Sequence, residues 1–253
     1  TQRMQMAIEE IRTTLLSSES GWVIDYFYPH DNGAVNILCK FHEDGTVDMS
    51  RIRSGAASQP VYDMVETSTY KIISNTGATI TFDTYNSMLH IFAAPENDDV
   101  KDGVGYKGDY EFVVRSVTDD YISVIGKKHG VRMSLWRLEP GRKWDQYLED
   151  AWAMQDIVQR TVQTGWRKKI LSYDGKSTII KHNSYRGLKF PDELCIENFD
   201  FIDFTVSDKG LRLSYPIRVD GQEVWLFQPN AAETELKAPN ADISLTKGDM
   251  NLN

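Results

Sequence analysis

Residues 20–28, SGWVIDYFY, are the stretch from which the fold can be predicted. After the glycine the pattern has period two, which places Trp22, Ile24, Tyr26 and Tyr28 on one face of a strand. Side chains of this size on one face indicate a sheet that covers a hydrophobic core. The stretch therefore predicts a β-strand with one buried face.

The next segment predicts the partner strands. Residues 35–41 form a second apolar run, and Asp44-Gly45 separates that run from residues 46–49. An Asp-Gly pair between two such runs is a strong hairpin signal, because both residues tolerate positive φ. We therefore expect two antiparallel strands joined at this pair.

Similar short runs and turns recur along the chain. The predicted turns are Asn75-Thr76-Gly77, Thr118-Asp119-Asp120, Lys128-His129-Gly130, Tyr173-Asp174-Gly175, Ser207-Asp208-Lys209-Gly210 and Val219-Asp220-Gly221. Frequent short strands with regular turns favour antiparallel barrels or sandwiches over parallel sheets. Residues 88–93 read as another short strand. After Pro229 the sequence is polar, with Leu236, Ile243 and Leu245 as weak anchors, and we expect a surface tail.

Two amphipathic helices are predicted, at residues 3–18 and 144–163. Each precedes a Gly-Trp pair, Gly21-Trp22 or Gly165-Trp166, that begins a run of strands. The prediction is a mainly β (α+β) protein with barrel- or sandwich-like sheets. We expect domains at residues 1–140 and 141–253, divided at Pro140-Gly141, or one continuous domain. A diverged duplication is a further hypothesis.

Composition excludes some classes of function. The 253-residue chain has a net charge of −9, which argues against nucleic-acid binding. Its apolar runs are far shorter than the roughly 18 residues that span a bilayer. The two cysteines, Cys39 and Cys195, lie in strand-like apolar contexts, so we expect buried free thiols, with a disulfide as the alternative. We expect no cofactor.

Apparent ligand motifs prove weak. Residues 103–108 match GxGxxG, but a β-like segment follows them instead of the helix that a dinucleotide site needs. The same loop carries Asp98, Asp99 and Asp102, which are weak candidates for calcium ligands without the EF-hand spacing. No pattern for nucleophilic catalysis is visible. We therefore predict no catalytic residues.

Aromatic side chains are the better candidates for ligand binding, because sugars stack on flat rings. Trp136 and Trp225 lie on faces opposite to the main apolar stripe of their strands. Tyr85 and His90 belong to an unusual motif in residues 82–90. We name these four as candidate ligand-binding residues, while core packing is the simpler reading of both tryptophans.

Four motifs carry a resemblance to a known family: KFHEDGTV at residues 40–47, FDTYN at 82–86 followed by Leu89-His90, GDYEF at 108–112 and GKK at 126–128. Together they resemble an uncharacterised family of Bacteroides-type lipoproteins, domain of unknown function 4302 (DUF4302). The resemblance covers about the first 145 residues. Asp83 and Asn86 would flank a turn and bond nearby backbone amides.

The resemblance implies a location rather than an activity. It implies a lipoprotein of the cell envelope, lipid-anchored to the outer membrane and facing the periplasm or the exterior, near a nutrient-uptake system. The chain begins at Thr1 without the lipidated cysteine, and we expect membrane association only through an anchor upstream.

From these observations we expect a binding or accessory protein rather than an enzyme. Its partner would be a glycan, a peptide or an envelope protein. The alternatives are a surface hydrolase with a carboxylate pair near residues 95–109, and a lipocalin-like carrier with an apolar ligand inside a barrel.

Overall fold

The fold consists of two compact units, residues 1–148 and 149–253. The structure is a computed structural model that describes residues 1–29, 33–54, 60–61, 64–94, 106–162, 168–183 and 186–248. Both units are built from antiparallel strands and begin with a helix, as the sequence predicts. The boundary between the units lies inside the second long helix, later than the predicted division after residue 140.

Unit 1 begins with helix α1, Gln2–Leu16. Thr1 caps it by accepting a hydrogen bond from the Met4 amide at 3.4 Å. Ile11 and Leu15 are buried in the core of the unit, and the opposite face is exposed. The helix therefore lies with one apolar stripe against the sheet.

The strands of unit 1 form one nine-stranded sheet and a separate short pair. The elements are β1 Trp22–Tyr28, β2 Gly33–Phe41, β3 Thr46–Ser50, β4 Arg53–Ser54, β5 Pro60–Val61, β6 Glu66–Thr69, β7 Lys71–Ser74, β8 Ala78–Thr81, α2 Ser87–His90, β9 Glu111–Val117, β10 Tyr121–Gly126 and β11 Arg132–Arg137. The sheet order is β6-β3-β2-β1-β11-β10-β9-β8-β7, and β4 pairs with β5.

The two edges of this sheet are covalently continuous. β6 pairs only with β3 and β7 pairs only with β8, yet Tyr70 alone separates β6 from β7 in the chain. The Tyr70 amide still donates to Gly45 O on the β3 side at 3.0 Å. A sheet whose edges are joined by one residue must curl until they meet, so the sheet is barrel-like. We call it barrel 1.

Large apolar side chains fill the core of barrel 1. Trp22, Ile24 and Tyr26 from β1 are buried at 1% exposure or less, and they pack with Phe82 and Phe112. The Trp22 indole N–H donates to Leu15 O at 3.0 Å, which ties the end of α1 to the first strand. The predicted period-two face of β1 is therefore confirmed as a core face. The expectation of a single buried face is wrong, because Val23, Asp25 and Phe27 on the other face are buried too.

Unit 2 contains a closed eight-stranded barrel, barrel 2. Its elements are α3 Trp144–Val162, which begins in unit 1, then β12 Lys169–Tyr173, β13 Lys176–His182, β14 Gly187–Lys189, a 3-10 helix Asp192–Leu194, β15 Ile202–Val206, β16 Leu211–Val219, β17 Gln222–Pro229, β18 Leu236–Lys237 and β19 Ile243–Lys247. Each strand pairs with the next, and β12 pairs with β19. Val158 and Val162 of α3 join the barrel core.

The two barrels close in the same way. In barrel 1 the Leu138 amide, just after the last strand, donates to Gly21 O, just before the first, at 3.0 Å. In barrel 2 the Gly248 amide donates to Lys168 O in the same relation at 2.8 Å. Helix, first strand and last strand thus follow one plan twice. By this correspondence Trp22 of barrel 1 and Lys169 of barrel 2 occupy equivalent positions.

The predicted fold class is confirmed, and so are the two helices and most turns. Asp174-Gly175 and Asp220-Gly221 both have positive φ at each residue, at 52° and 70° and at 49° and 77°, as two-residue hairpins require. Gly165-Trp166 lies outside the described residues.

Two local predictions are wrong. Residues 88–93 are not a strand, because Asn86 caps a helical turn, α2, by accepting from the Met88 amide at 3.1 Å. The polar C-terminal tail contains β18 and β19, which close barrel 2, and Leu236, Ile243 and Leu245 are fully buried. A short apolar run does not distinguish helix from strand, and alternation within a polar segment is easily missed.

Candidate functional site

The longest loop-like connection of barrel 1 joins β8 to β9 and takes up residues 82–110, of which residues 82–94 and 106–110 are described. Counted back from the last strand of each barrel, β9 and β17 are both third. The equivalent connection in barrel 2 therefore joins β16 to β17, and it consists of Asp220 and Gly221 alone. A barrel of this plan can therefore close with a much shorter connection. Long connections on a rigid scaffold often carry function, so this connection is the candidate site.

The start of this connection covers the open edge of β6. The Thr69 amide donates to Thr84 Oγ1 at 2.8 Å, and Asn86 Nδ2 donates to Glu66 O at 3.2 Å. Asn86 Nδ2 also reaches Ser68 Oγ at 3.1 Å, and Asn86 is fully buried. Because β6 has a partner strand on one side only, these side chains satisfy backbone groups that another strand would otherwise bind.

Asp83 also has a structural role in this motif. Its carboxylate accepts from Thr69 Oγ1 at 2.8 Å and forms an ion pair with Lys71 Nζ at 3.1 Å. Partial burial raises the pKa of Asp83, but the hydrogen bonds from Thr69 and Lys71 outweigh it, so the pKa lies below its usual value. The expected bonding to a backbone amide is therefore confirmed for Asn86, which accepts from the Met88 amide. The second amide, that of Thr69, donates to Thr84 rather than to Asp83.

Tyr85 is the exposed aromatic side chain of the FDTYN motif, with 70% of its area exposed, and Asp83 and Thr84 beside it are exposed as well. Its ring lies 5.6 Å from that of His90 at an angle of 34°, and His90 lies 5.5 Å from Tyr110 at 31°. Tyr110 is also exposed, at 44%. We call Tyr85, His90 and Tyr110 the ring ladder. It unites two predicted candidates with one residue that was not predicted.

Two backbone groups hold the central ring of the ladder. His90 Nδ1 lies 3.0 Å from the Asn86 amide nitrogen, and Nε2 lies 2.9 Å from Phe82 O. A carbonyl can only accept, so Nε2 carries a proton and donates to Phe82 O, while Nδ1 also lies 3.2 Å from Asn86 O. The His90 ring is therefore fixed, and it is half-buried in α2 rather than in a strand as predicted.

The Tyr110 end of the ladder adjoins the turn between β10 and β11. Asp109 is buried, and its carboxylate accepts from the amides of Lys128 at 2.7 Å and His129 at 3.2 Å. A Cβ atom on Gly126 would overlap that carboxylate. The GDYEF and GKK motifs therefore contact each other. Gly126 leaves room for the Asp109 carboxylate, and that carboxylate binds the turn that carries the lysines and keeps it beside Tyr110.

The two tryptophan candidates lie elsewhere. Trp225 is only 8% exposed, so it presents no open ring face and the premise for choosing it is wrong. Trp136 is half-buried, with its ring 5.0 Å from Tyr121 and its Nε1 bonded to Ser134 Oγ at 2.9 Å. Neither belongs to the ring ladder. Strand alternation alone does not show whether a tryptophan is exposed, because a side chain on the face opposite the main apolar stripe can also be buried.

Most of the residues predicted to bind a metal or to catalyse hydrolysis lie outside the described residues. Asp98, Asp99 and Asp102 lie outside them, as does most of the GxGxxG match. Asp109, the last carboxylate of that loop, is engaged with the turn amides. Within the part of the chain that the structure describes, no cluster of three His, Cys, Asp or Glu side chains is arranged to hold a metal ion.

Both cysteines are free thiols, as predicted. Cys39 is fully buried in the core of barrel 1, and that burial raises its pKa well above the usual range. Cys195 is half-buried near Phe190 O and Pro191 O, and burial raises its pKa too. A raised thiol pKa leaves little thiolate at neutral pH, so both positions are suited to packing rather than to nucleophilic chemistry.

Comparison with known proteins gives a family without a function. A family described as "Domain of unknown function (DUF4302)" matches residues 1–231, which covers both units up to a point just before β18. The chain belongs to the DUF4302 family. The match extends well past the 145 or so residues that carry the sequence resemblance. No curated protein and no solved structure matches the chain. Among the helices described, none is long and apolar enough to span a membrane.

Tyr110 is the site residue that sequence reasoning missed. It precedes β9, and alternation with Phe112 and Val114 suggested a core position, whereas Phe112 is 1% exposed and Tyr110 is 44% exposed. The alternation of buried and exposed side chains breaks just before β9, because the Asp109 side chain is turned inward and buried. The useful signal was the GDYEF motif itself, since a glycine and an aspartate directly before an aromatic residue indicate a turn.

Proposed function

We propose that this DUF4302 protein is a non-catalytic glycan-binding protein of the cell envelope, and that the ring ladder of Tyr85, His90 and Tyr110 is its binding surface. One observation carries the proposal. The three rings form a continuous row on a connection far longer than its counterpart in barrel 2, and the two terminal rings are exposed. Sugar rings stack on such surfaces through their apolar C–H faces.

The division of labour within the FDTYN motif supports this function. Asp83, Thr84 and Asn86 each have a partner that explains their presence in structural terms. The Tyr85 ring, by contrast, is 70% exposed and touches only the His90 ring among the contacts described. An exposed aromatic side chain on a fixed support is the usual form of a binding hot spot.

The rigidity of the ladder supports binding as well. His90 is fixed by two backbone groups, Glu66 holds the start of α2 by accepting from the Ser87 amide at 2.7 Å, and Arg51 Nε donates to Met88 O at 3.1 Å. A surface that is already ordered loses little conformational entropy when it binds. We infer that ligand binds without rearrangement of α2.

Family membership and the resemblance of the motifs to lipoproteins support a proposed cellular role. In this proposal the protein is lipid-anchored to the outer membrane and presents glycans to a nutrient-uptake system. Fractionation of cells that express the natural gene, with protease treatment of intact cells, tests this location. Recovery of the protein in the cytoplasm would contradict it.

The binding function is tested on a glycan array, with and without calcium, followed by titration of the strongest ligand. Tyr85→Ala and Tyr110→Ala should each weaken binding by about tenfold or more, which is the loss of one hot-spot contact. Met6→Ala is the matched control, since Met6 is similarly exposed, at 67%, on α1. If Trp136→Ala abolishes binding and Tyr85→Ala does not, the ring ladder is the wrong surface.

A further inference from the structure

The ring ladder has different charges at its two ends. Near Tyr110 lie Lys107, Lys127 and Lys128, and near Tyr85 lie Asp83, Glu66 and Lys71. The chain as a whole carries a net charge of −9, whereas three lysines lie within or next to the GDYEF and GKK motifs at this end. The distribution of charge at the ladder therefore restricts which glycan can bind there.

At the Tyr110 end the carboxylates are already engaged. Asp109 is buried and accepts from two backbone amides, and Glu111 forms an ion pair with Lys127 at 3.6 Å. Lys107 and Lys128 are exposed, and no described carboxylate pairs with either ammonium group. Two cations therefore stay available to a ligand at this end.

The backbone brings these lysines to the ladder. The Lys127 amide donates to Glu111 O at 2.9 Å, so the chain at Lys128 lies beside that at Tyr110. Lys107 stands three residues before Tyr110, in a left-handed conformation with φ of 58°. At the other end Lys71 is held by Asp83 at 3.1 Å, and the Glu66 carboxylate bonds Ser87. That end offers no free cation among the described residues.

We propose that the ligand is an anionic glycan, which stacks on the ring ladder and places a carboxylate or sulfate group against Lys107 and Lys128. This inference rests on the proposed glycan-binding function and names its substrate class. Charge-assisted contacts to ammonium groups would orient the chain with its acidic group at Tyr110. The rings supply stacking, and the lysines supply the choice between acidic and neutral glycans.

Matched ligand pairs test the proposal. The probes are oligogalacturonate with its methyl ester, and a heparin-type oligosaccharide with its desulfated form. We expect the charged member of at least one pair to bind about tenfold or more tightly than its neutral partner, and we expect added salt to reduce that preference. The pair that shows the preference identifies carboxylate or sulfate as the recognised group.

Variants separate this inference from the proposed function. Lys107→Gln with Lys128→Gln should remove the preference and leave binding of the neutral partner unchanged, while Lys143→Gln, another exposed lysine of unit 1, serves as the control. Equal affinity for charged and neutral partners, lost in Tyr85→Ala, would overturn the inference and keep the glycan-binding function. If no probe binds and the glycan array is also silent, both are overturned.

Discussion

Barrel 1 and barrel 2 follow the same plan and differ where barrel 1 carries its candidate site. Each has an N-terminal helix, a run of antiparallel strands and a closing contact between the residues that flank the first and last strands. The β8–β9 connection of barrel 1 bears α2 and the ring ladder, whereas barrel 2 makes the same connection with Asp220-Gly221. The shared parts explain the fold, and the unshared part carries the binding surface that we propose.

The comparison also separates two kinds of motif residue. Gly126, Asp109, Thr84 and Asn86 sustain the geometry of the long connection, and Tyr85 and Tyr110 use that geometry to present rings. The motif residues therefore have two different physical roles. Variants that destabilise the protein and variants that abolish binding should fall into different groups.

The largest effect is expected from ending the chain at residue 231, where the family match stops. This removes β18 and β19 and leaves β12 and β17 with unpaired edges. We expect unit 2 to lose its cooperative unfolding transition and the chain to aggregate. Size-exclusion chromatography and thermal unfolding by circular dichroism measure this. A chain ending at Gly248 keeps every described strand and is the control; monomeric behaviour of both chains would refute the expectation.

Trp22→Ala should be the most destabilising single substitution among those considered. Trp22 is fully buried and donates to Leu15 O, so the change leaves a large cavity and an unbonded carbonyl. We expect a loss of about 3–5 kcal/mol in the free energy of unfolding. Urea denaturation provides the value. Trp152→Ala, at 39% exposure on α3, should cost far less.

Gly126→Ala should cost about 1–3 kcal/mol, because the added methyl group overlaps the Asp109 carboxylate and either side chain or backbone must move. Gly130→Ala is an informative comparison, since open space surrounds the equivalent atom there and only its φ of 70° opposes the change. Thermal unfolding compares the two. If Gly126→Ala is the milder variant, the packing of Asp109 against this turn is not as tight as the structure indicates.

In barrel 2, the position equivalent to Trp22 is occupied by Lys169, a titratable residue, so the pH dependence of stability tests this difference between the barrels. Burial lowers the pKa of Lys169 from its ordinary value of 10.5 to about 8. Between these values the unfolded chain binds more protons than the folded chain, so the free energy of unfolding should rise with pH across this window. Lys169→Met should lose that rise. Urea unfolding of both proteins at several pH values between about 7 and 10.5 tests the difference.

Tyr85→Ala should have the smallest effect on stability. Its side chain is exposed and forms no described hydrogen bond, so the free energy of unfolding should change by less than about 0.5 kcal/mol. The same variant should lose glycan binding. Asn86→Ala is the counterpart, because it removes the cap of α2 and leaves Glu66 O without its side-chain donor. A large destabilisation by Tyr85→Ala would place that residue in the structural group.

The sequence predicts those parts of the protein that depend on local rules. Period two along β1, the helical stripe of α3 and the Asp-Gly turns depend on a few neighbouring residues, and each is confirmed. The strand content of residues 236–247 depends on closing a barrel with β12, which begins at residue 169, and local patterns carry no information about that pairing. The ring ladder is likewise a tertiary feature. Tyr85 and His90 could be named from one motif, but Tyr110 joins them only because Asp109 turns inward.

The pairing of the first strand with the last strand in each barrel has a consequence for the speed and order of folding. The β2–β3 and β10–β11 hairpins join neighbouring residues and can form early. Pairing of Trp22 with Arg137, by contrast, encloses most of unit 1 in a single loop, whereas pairing of Lys169 with Lys247 encloses a shorter one. Since the entropy of loop closure grows with the length enclosed, contacts between distant residues slow folding. We therefore expect barrel 1 to be the slower unit to fold, although it is synthesised first, and its strands to stay exposed until β11 arrives.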